Sequence, residues 1–145
     1  MRVVIQVVSE ASVKVEDEII GQINRGYLIL LAIHVDDTED KITKMAEKIY
    51  GLRVFKDETD KMNLSLKDIG GEVLLVSQFT LYADTKKGNR PGFSESARPD
   101  QAVLYYEKIV SLLKAKGLKV ATGSFGAKMS VSLVNEGPTT IIIDL

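Results

Sequence analysis

Short apolar runs separated by polar turns fill the first 34 residues. The runs occupy residues 2–8, 12–15, 19–23 and 27–34. They are rich in β-branched side chains, which favour strands. Polar groups such as Asp17-Glu18 and Asn24-Arg25-Gly26 stand between the runs and are typical of tight turns. The pattern predicts an antiparallel meander of short strands at the start of the chain.

The apolar spacing changes twice to a helical period. Asp36-Asp37-Thr38 supplies side chains that cap a helix, and the first helix is predicted to end at Gly51. Its apolar face carries Ile42, Met45, Ala46 and Ile49. The second helix is predicted to open at Pro99-Asp100 and close at Gly117. Its apolar face carries Val103, Tyr106, Ile109, Val110 and Leu113.

The remaining segments are predicted to be extended or irregular. Strands are predicted over residues 53–55, 72–78, 129–134 and 140–143. Residues 56–61 form a polar turn, and residues 83–99, with several glycines and prolines, form a long loop. No repeat or linker divides the chain. The sequence therefore predicts one α+β domain over residues 1–145, with a mostly antiparallel, barrel-like sheet and two main helices.

Composition limits the chemistry that this chain can perform. The 145 residues are 45% hydrophobic, contain no cysteine and carry a net charge of −1. A thiol nucleophile, a disulfide framework and thiolate metal ligands are excluded, and the composition suits a reducing cytoplasm. No apolar run approaches the roughly 20 residues that a membrane helix needs. We expect a cytoplasmic protein with neither a membrane nor DNA as partner. An RNA partner would have to be held by a local basic patch or by shape.

The usual catalytic motifs are missing. His34 is the only histidine, and we interpret it as a strand-end residue that faces solvent. No Gly-x-Ser-x-Gly elbow, phosphate loop or dinucleotide-binding glycine pattern is present. Asp36, Asp37 and Asp40 are interpreted as helix-capping residues. Binding of a magnesium ion by these carboxylates remains an alternative. We expect no cofactor and no metal site.

Ser77, Gln78 and Thr80 lie where the strongest strand meets the long loop. They are either ordinary polar residues that face solvent at the end of a strand or residues that bind a polar ligand. Thr80 without a neighbouring base is a weak nucleophile. Such a site therefore suits hydrolysis of an already activated ester, in which backbone N–H groups stabilise the oxyanion. The loop carries Lys86, Lys87 and Arg90, which either face solvent or contact phosphates.

Asn135-Glu136-Gly137-Pro138 is first of all a tight turn between two apolar strands. X-Pro bonds in folded proteins are mostly trans, so the residues alone favour a trans bond at Pro138. A Gly-Pro turn nevertheless presents backbone carbonyls with little side-chain cover. Those carbonyls are suited to line a pocket that is too tight for one stereoisomer.

At these residues the sequence resembles the D-aminoacyl-tRNA deacylase family, nearly end to end. The resemblance is carried by Arg2-Val3-Val4-Ile5-Gln6, Ser9-Glu10-Ala11-Ser12-Val13, Ser77 to Asp84, Lys86 to Pro91, Thr122-Gly123, Phe125-Gly126-Ala127, Met129 and Asn135 to Pro138. It implies hydrolysis of D-aminoacyl and glycyl esters of tRNA by a homodimer with active sites at the subunit interface. The alternatives are a non-catalytic RNA-binding or interaction domain on the same fold and a carboxylate-metal hydrolase.

The resemblance also implies roles for single residues. Ser77, Gln78, Phe79 and Thr80 line the site around the terminal adenosine, with Thr80 as nucleophile or with backbone N–H groups and the substrate 2′-hydroxyl acting instead. Gly137-Pro138 resembles a Gly-cisPro element that crosses the dimer to exclude L-amino acids, and Phe125 and Met129 either pack around the adenine or support the pocket. Val7 departs from an arginine that is common in the family and associated with holding the Gly-Pro carbonyls. Thr139 replaces a more usual valine, which we interpret as neutral.

Overall fold

The computed structural model describes residues 1–145 and contains eight strands and three helices. The strands are β1 (Arg2–Val15), β2 (Glu18–Ile23), β3 (Gly26–Ala32), β4 (Phe55–Lys56), β5 (Met62–Leu64), β6 (Glu72–Ser77), β7 (Val120–Thr122) and β8 (Ser130–Asp144). The helices are α1 (Glu39–Gly51), α2 (Leu66–Ile69) and α3 (Pro99–Ala115), and a 3-10 turn covers Phe79–Tyr82. The two main helices and the α+β class agree with the sequence prediction.

β1 is the central strand of the main sheet. The two strands predicted over residues 2–8 and 12–15 are one continuous strand, which pairs antiparallel with β3 through its first half and with β2 through its second. The predicted meander is therefore wrong, because β3 lies beside β1 and not beside β2. On its other side β1 pairs antiparallel with β8 along nearly its whole length.

The second half of the sheet is parallel. β6 pairs parallel with β3, and β7 pairs parallel with β6. Antiparallel pairing nevertheless predominates, because β1 pairs antiparallel with β2, β3 and β8, so the prediction of a mostly antiparallel sheet is confirmed. Both faces of β3 and β6 are buried, and this explains their continuous apolar sequences.

The main sheet curls until β2 approaches β7 and the barrel is nearly closed. A Cβ atom on Gly21 of β2 would lie 2.6 Å from the carbonyl oxygen of Thr122 in β7, so only glycine allows this approach. A small apolar cluster fills the inside of the curl. It consists of Val8, Ala11, Val13, Ile23, Leu28, Leu74 and Val76.

The larger part of the core lies between the outer face of the sheet and the two long helices. α1 contributes Ile42, Met45, Ala46 and Ile49, as its helical spacing predicts. α3 contributes Ala102, Tyr105, Tyr106, Ile109 and Leu113, so its buried face is rotated away from Val103 and Val110, which are only partly buried. None of the helices combines the length and apolarity needed to cross a membrane.

Several short elements were not predicted. The polar stretch after β4 leads into β5, and these two strands form a small hairpin. α2 follows, and its capping box between Ser65 and Asp68 is a sequence signal that could have revealed it. β7 and the 3-10 turn are too short for periodicity to detect. The two strands predicted over residues 129–134 and 140–143 are one strand, β8.

Asp37 has a different role from the predicted helix cap. Its carboxylate is buried and accepts hydrogen bonds from the amino group of Met1 (2.7 Å), from Lys41 (3.1 Å) and from the backbone N–H of His34 (2.7 Å). The N-cap residue of α1, Thr38, makes no side-chain cap hydrogen bond. His34 lies beyond the end of β3, partly buried, with its ring edge on Tyr82 at 5.1 Å between centroids.

Candidate active site

A cavity of about 640 Å³ lies at the edge of the sheet where the parallel strands β3 and β6 end. Parallel strands bring their carboxyl ends to the same edge, which is where α/β-type sheets commonly bind ligands. The backbone N–H of Gln78 donates to the carbonyl of Leu31 at 2.8 Å and holds the two strand ends together. The start of α3 and the loop before β8 close the other sides.

The lining of this cavity is apolar with a few polar groups. The polar side chains are those of Ser77, Gln78, Ser96, Arg98 and Tyr106. No aspartate, glutamate, histidine, lysine or cysteine lines the cavity. General-base catalysis needs a titratable group within hydrogen-bond reach of the reacting proton. The cavity can bind and orient a substrate, but its side chains offer no ordinary base.

The predicted segment Ser77 to Thr80 is split by the structure. Ser77, Gln78 and Phe79 line the cavity, whereas Thr80 is exposed on the 3-10 turn and is not part of the lining. The side-chain amide of Gln78 donates to the Thr80 hydroxyl. The first N–H groups of a helical turn have no acceptor within that turn. The N–H groups of Phe79 and Thr80 therefore occupy the positions from which a turn can donate to a ligand.

Phe79 forms an aromatic wall at the mouth of the cavity. Its side chain is 53% exposed and packs edge-on against Phe93 at 5.1 Å between centroids. The Ser96 hydroxyl donates to the Phe79 carbonyl at 3.0 Å. An exposed ring beside a cavity offers a stacking surface for a base or another flat group.

Arg2 supports the 3-10 turn from the sheet side. Its Nη1 donates to the carbonyl of Leu81 at 2.8 Å, and its Nε donates to Asp144 at 2.7 Å. The guanidinium also lies over the Tyr82 ring at 4.9 Å. Sequence reasoning missed this role, because an arginine at the start of a strand carries no signal of a contact made 79 residues away.

Phe125 and Met129 come from the loop between β7 and β8 and form part of the cavity wall. Phe125 packs against Tyr106 at 6.0 Å between ring centroids. The Tyr106 hydroxyl donates to the carbonyl of Leu75 at 2.7 Å, and burial raises the pKa of Tyr106 to about 12. Tyr106 is therefore a neutral structural donor that fixes this wall to β6.

Gly137 and Pro138 lie away from this cavity. They belong to an outward bulge of β8: Asn135 is paired with Val8 and Thr140 with Gln6, so residues 136–139 stand opposite Val7 alone. The Gly137–Pro138 peptide bond is cis, whereas the general preference of X-Pro bonds predicts trans. Gly137 has a φ of 120°, which disfavours any side chain. The Gly-Pro bulge and the Ser77–Phe79 cavity are therefore separate in this chain.

Lys86, Lys87 and Arg90 are exposed on the loop between Asp84 and Gly92. Asp84 and Gly92 pair at its base through two backbone hydrogen bonds of 2.7 and 2.9 Å. Phe93 follows immediately and lines the cavity. The three cations therefore lie beside the site, and not in it.

Known proteins resemble this chain over nearly its full length. Proteins named D-aminoacyl-tRNA deacylase from an Exiguobacterium species and from Thermotoga petrophila are 54% and 56% identical to it over 144 residues. The alignments cover 99% of this chain and 98% and 97% of those relatives. Such relatives place the chain in the class of hydrolases.

A sequence model described as D-Tyr-tRNA(Tyr) deacylase matches residues 4–144. The chain belongs to this family.

Two solved structures share the fold. One, described as c-Myc DNA Unwinding Element Binding Protein, has a TM-score of 0.93 and 40% identity, and the match covers 100% of this chain and 99% of that one. The other, described as a probable eukaryotic D-amino acid tRNA deacylase, has a TM-score of 0.87 over 99% of this chain and 98% of that one. Its identity is 19%, so it supports the fold alone.

Proposed function

We propose that this protein hydrolyses the ester bond of D-aminoacyl-tRNA, and of mischarged glycyl-tRNA, and releases the free amino acid and tRNA. The observation that carries the proposal is a cavity with hydroxyl, amide and aromatic groups but no side-chain base, in a chain of the deacylase family. An aminoacyl ester is already activated and lies beside a ribose hydroxyl. It therefore needs orientation and oxyanion stabilisation more than a strong base.

The chemistry is assigned to the backbone and the substrate. The N–H groups of Phe79 and Thr80 stabilise the oxyanion that forms when water attacks the ester carbonyl. The substrate 2′-hydroxyl assists the proton transfers, and the 3′-oxygen leaves with a proton when the ester C–O bond breaks. Thr80 as a nucleophile is the less favoured mechanism, because its hydroxyl accepts a hydrogen bond from Gln78 and no base contacts it.

The terminal adenosine of the tRNA is assigned to the cavity itself. Ser77 and Gln78 supply polar contacts to the nucleoside, and Phe125 and Met129 pack against the adenine. Apolar walls with a few polar groups are typical of such sites. Lys86, Lys87 and Arg90 are assigned to phosphates of the tRNA, since the net charge of −1 offers no overall attraction.

Chiral selection is assigned to Gly137-Pro138 of a second subunit in a homodimer. The bulge that carries these residues is exposed and does not line the cavity of its own subunit. β8 pairs with β1 only, and on it Val134 and Ile142 are 49% and 64% exposed. Exposed apolar side chains of this kind favour an interface. Backbone carbonyls inserted into the partner's site would clash with an L-side chain and leave room for a D-side chain or for glycine. The protein would act in the cytoplasm, where tRNA is charged.

The test is hydrolysis of D-tyrosyl-tRNA and L-tyrosyl-tRNA by the purified protein with excess chelator. We expect release of D-tyrosine well above spontaneous hydrolysis and a far smaller, though measurable, acceleration for the L-ester. Binding of the tRNA without hydrolysis would favour the non-catalytic RNA-binding alternative. Activity that the chelator abolishes would favour a carboxylate-metal hydrolase.

A further inference from the structure

Few side-chain hydrogen bonds connect the Gly-Pro bulge of β8 to the rest of the chain. Its residues 136–139 face Val7, whose apolar side chain cannot donate or accept a hydrogen bond. Two side-chain contacts reach the bulge and its base. Gln6 donates to Asn135 at 3.4 Å at the base, and Arg25 donates to Glu136 at 3.3 Å within the bulge.

Arg25 is itself held in place. The backbone N–H of Glu72 donates to the Arg25 carbonyl at 3.0 Å, which fixes the turn between β2 and β3 against β6. The guanidinium lies over the ring of Phe55 at 5.4 Å from its centroid, and Phe55 is 2% exposed and stacks on Tyr27. A planar guanidinium stacked on a rigid buried ring is directed, unlike a free surface cation.

Arg25 is also the cation that contacts the bulge. Arg25, Lys56, Glu136 and Gly137 line one small cavity of about 80 Å³ beneath the bulge. Lys56 forms a salt bridge with Asp60 at 3.3 Å, whereas Arg25 forms the salt bridge with Glu136. The residue after Glu136 is Gly137, so a restraint on Glu136 acts one residue away from the Gly-Pro carbonyls.

We propose that Arg25 is a positioning residue that sets the stereospecificity of the enzyme, by fixing the Gly137-Pro138 bulge through Glu136 and Phe55. The inference rests on the proposed function, because it takes that bulge as the chiral selector. Arg25 does not touch the substrate. Arg25 limits how far the Gly137-Pro138 carbonyls can move, and this determines how strongly L-aminoacyl esters are excluded.

The contact is too exposed to matter much for folding. The side chains of Arg25 and Glu136 are 48% and 43% exposed, and exposed ion pairs contribute little to stability. Variants at either position should therefore fold. What should change is the ratio of kcat/KM for the D-ester to that for the L-ester, because refusal of the L-ester requires that the carbonyls do not move.

The experiment measures that ratio for D- and L-tyrosyl-tRNA with Arg25→Met and Glu136→Gln. Methionine keeps an apolar stem over Phe55 and removes the charge, and glutamine is isosteric with glutamate. We expect each variant to lower the ratio by about 2- to 5-fold, since exposed pairs act at this scale. The double variant should lose no more than either single variant, because one contact is removed in both cases.

Salt provides a readout that a general structural defect would not give. The wild-type ratio should fall as salt screens the ion pair, whereas the ratio of Arg25→Met should not. Salt also weakens tRNA binding, but this effect cancels because both esters carry the same tRNA. Lys56→Met is the matched control: it removes a neighbouring cation that pairs elsewhere and should leave the ratio unchanged.

The outcomes separate this inference from the proposed function. A wild-type protein that hydrolyses neither ester, or both equally, overturns both. A selective wild-type protein whose ratio is unchanged in Arg25→Met and Glu136→Gln overturns the role of Arg25 alone. If Lys56→Met and Arg25→Met lower the D-to-L ratio equally, the role of Arg25 is also overturned. The effect would then come from removing any positive charge in this region and not from the contact with Glu136.

Discussion

Thr80 is the residue whose surroundings decide between two mechanisms. Its hydroxyl accepts a hydrogen bond from Gln78, and it is exposed outside the cavity lining. We expect Thr80→Ala to slow single-turnover hydrolysis of D-tyrosyl-tRNA by no more than about tenfold, since it removes a side chain and leaves the backbone N–H groups that stabilise the oxyanion. A tRNA that ends in 2′-deoxyadenosine should be hydrolysed far more slowly by wild type and variant alike.

The control is Thr80→Ser, which keeps the hydroxyl and should behave like wild type. A loss of roughly a thousandfold or more in Thr80→Ala, with tRNA binding intact, would contradict the backbone mechanism and identify Thr80 as the nucleophile.

The same scale shows why residue roles are hard to predict. The sequence identified Ser77, Gln78 and Phe79 as a group, and all three line one cavity. It assigned Asp37 to a helix cap, yet the buried carboxylate bonds to Met1, which is distant in sequence. Local patterns describe neighbours along the chain. Partners that are distant in sequence have no local signal.

The 3-10 turn Phe79–Tyr82 is the element on which the proposed oxyanion site depends. Arg2 donates to its Leu81 carbonyl and links it to Asp144 at the end of β8. We expect Arg2→Ala to lower kcat several-fold and to speed amide exchange in residues 79–82, because the turn loses a charged donor worth about 1.5–3 kcal/mol. Single-turnover kinetics and hydrogen exchange measure the two effects.

Arg53 offers a matched control for this variant. It also donates to a backbone carbonyl, that of Asn63, at 2.7 Å, but it lies in the β4–β5 region and away from the cavity. Arg53→Ala should affect stability without changing kcat. If both variants lower kcat equally, Arg2 has no specific part in supporting the turn.

Among the elements, the long and strongly periodic ones were predictable. α1 follows the expected face of Ile42, Met45, Ala46 and Ile49 because a helix of several turns repeats its pattern. β1 was divided into two predicted strands because Ser9 and Glu10 are exposed polar residues at an irregularity in its pairing with β8. A break in the alternation of polar and apolar residues looks like a turn in the sequence. In the structure, β1 stays extended through this break because β8 pairs with it on both sides.

At the scale of the whole molecule, the proposed site requires two subunits. Ala127→Trp should fill the cavity of a subunit, and Gly137→Val should obstruct the partner's site, so that each homodimer is inactive. Mixed dimers should contain one doubly damaged site and one intact site. Random exchange makes half of the dimers mixed, so about a quarter of wild-type activity should return, as expected for a two-fold interface.

Light scattering during size-exclusion chromatography should show a dimer before the mixing experiment. A monomer at assay concentration, or no recovery of activity after subunit exchange, would contradict the assignment of Gly137-Pro138 to a partner's site.

The sequence by itself determined the α+β class, the two long helices and the group of residues at the end of β6. These follow from hydrophobic periodicity and from motifs that are continuous along the chain. Only the tertiary structure decided that β3 lies beside β1 and β6, that β8 is one bulged strand, and that Arg25 contacts Glu136. Strand order and contacts between distant segments depend on how both faces of the sheet are buried, and local patterns do not record that. For the same reason Gly137-Pro138, a turn in the sequence, is a bulge whose Glu136 accepts a hydrogen bond from an arginine more than a hundred residues earlier.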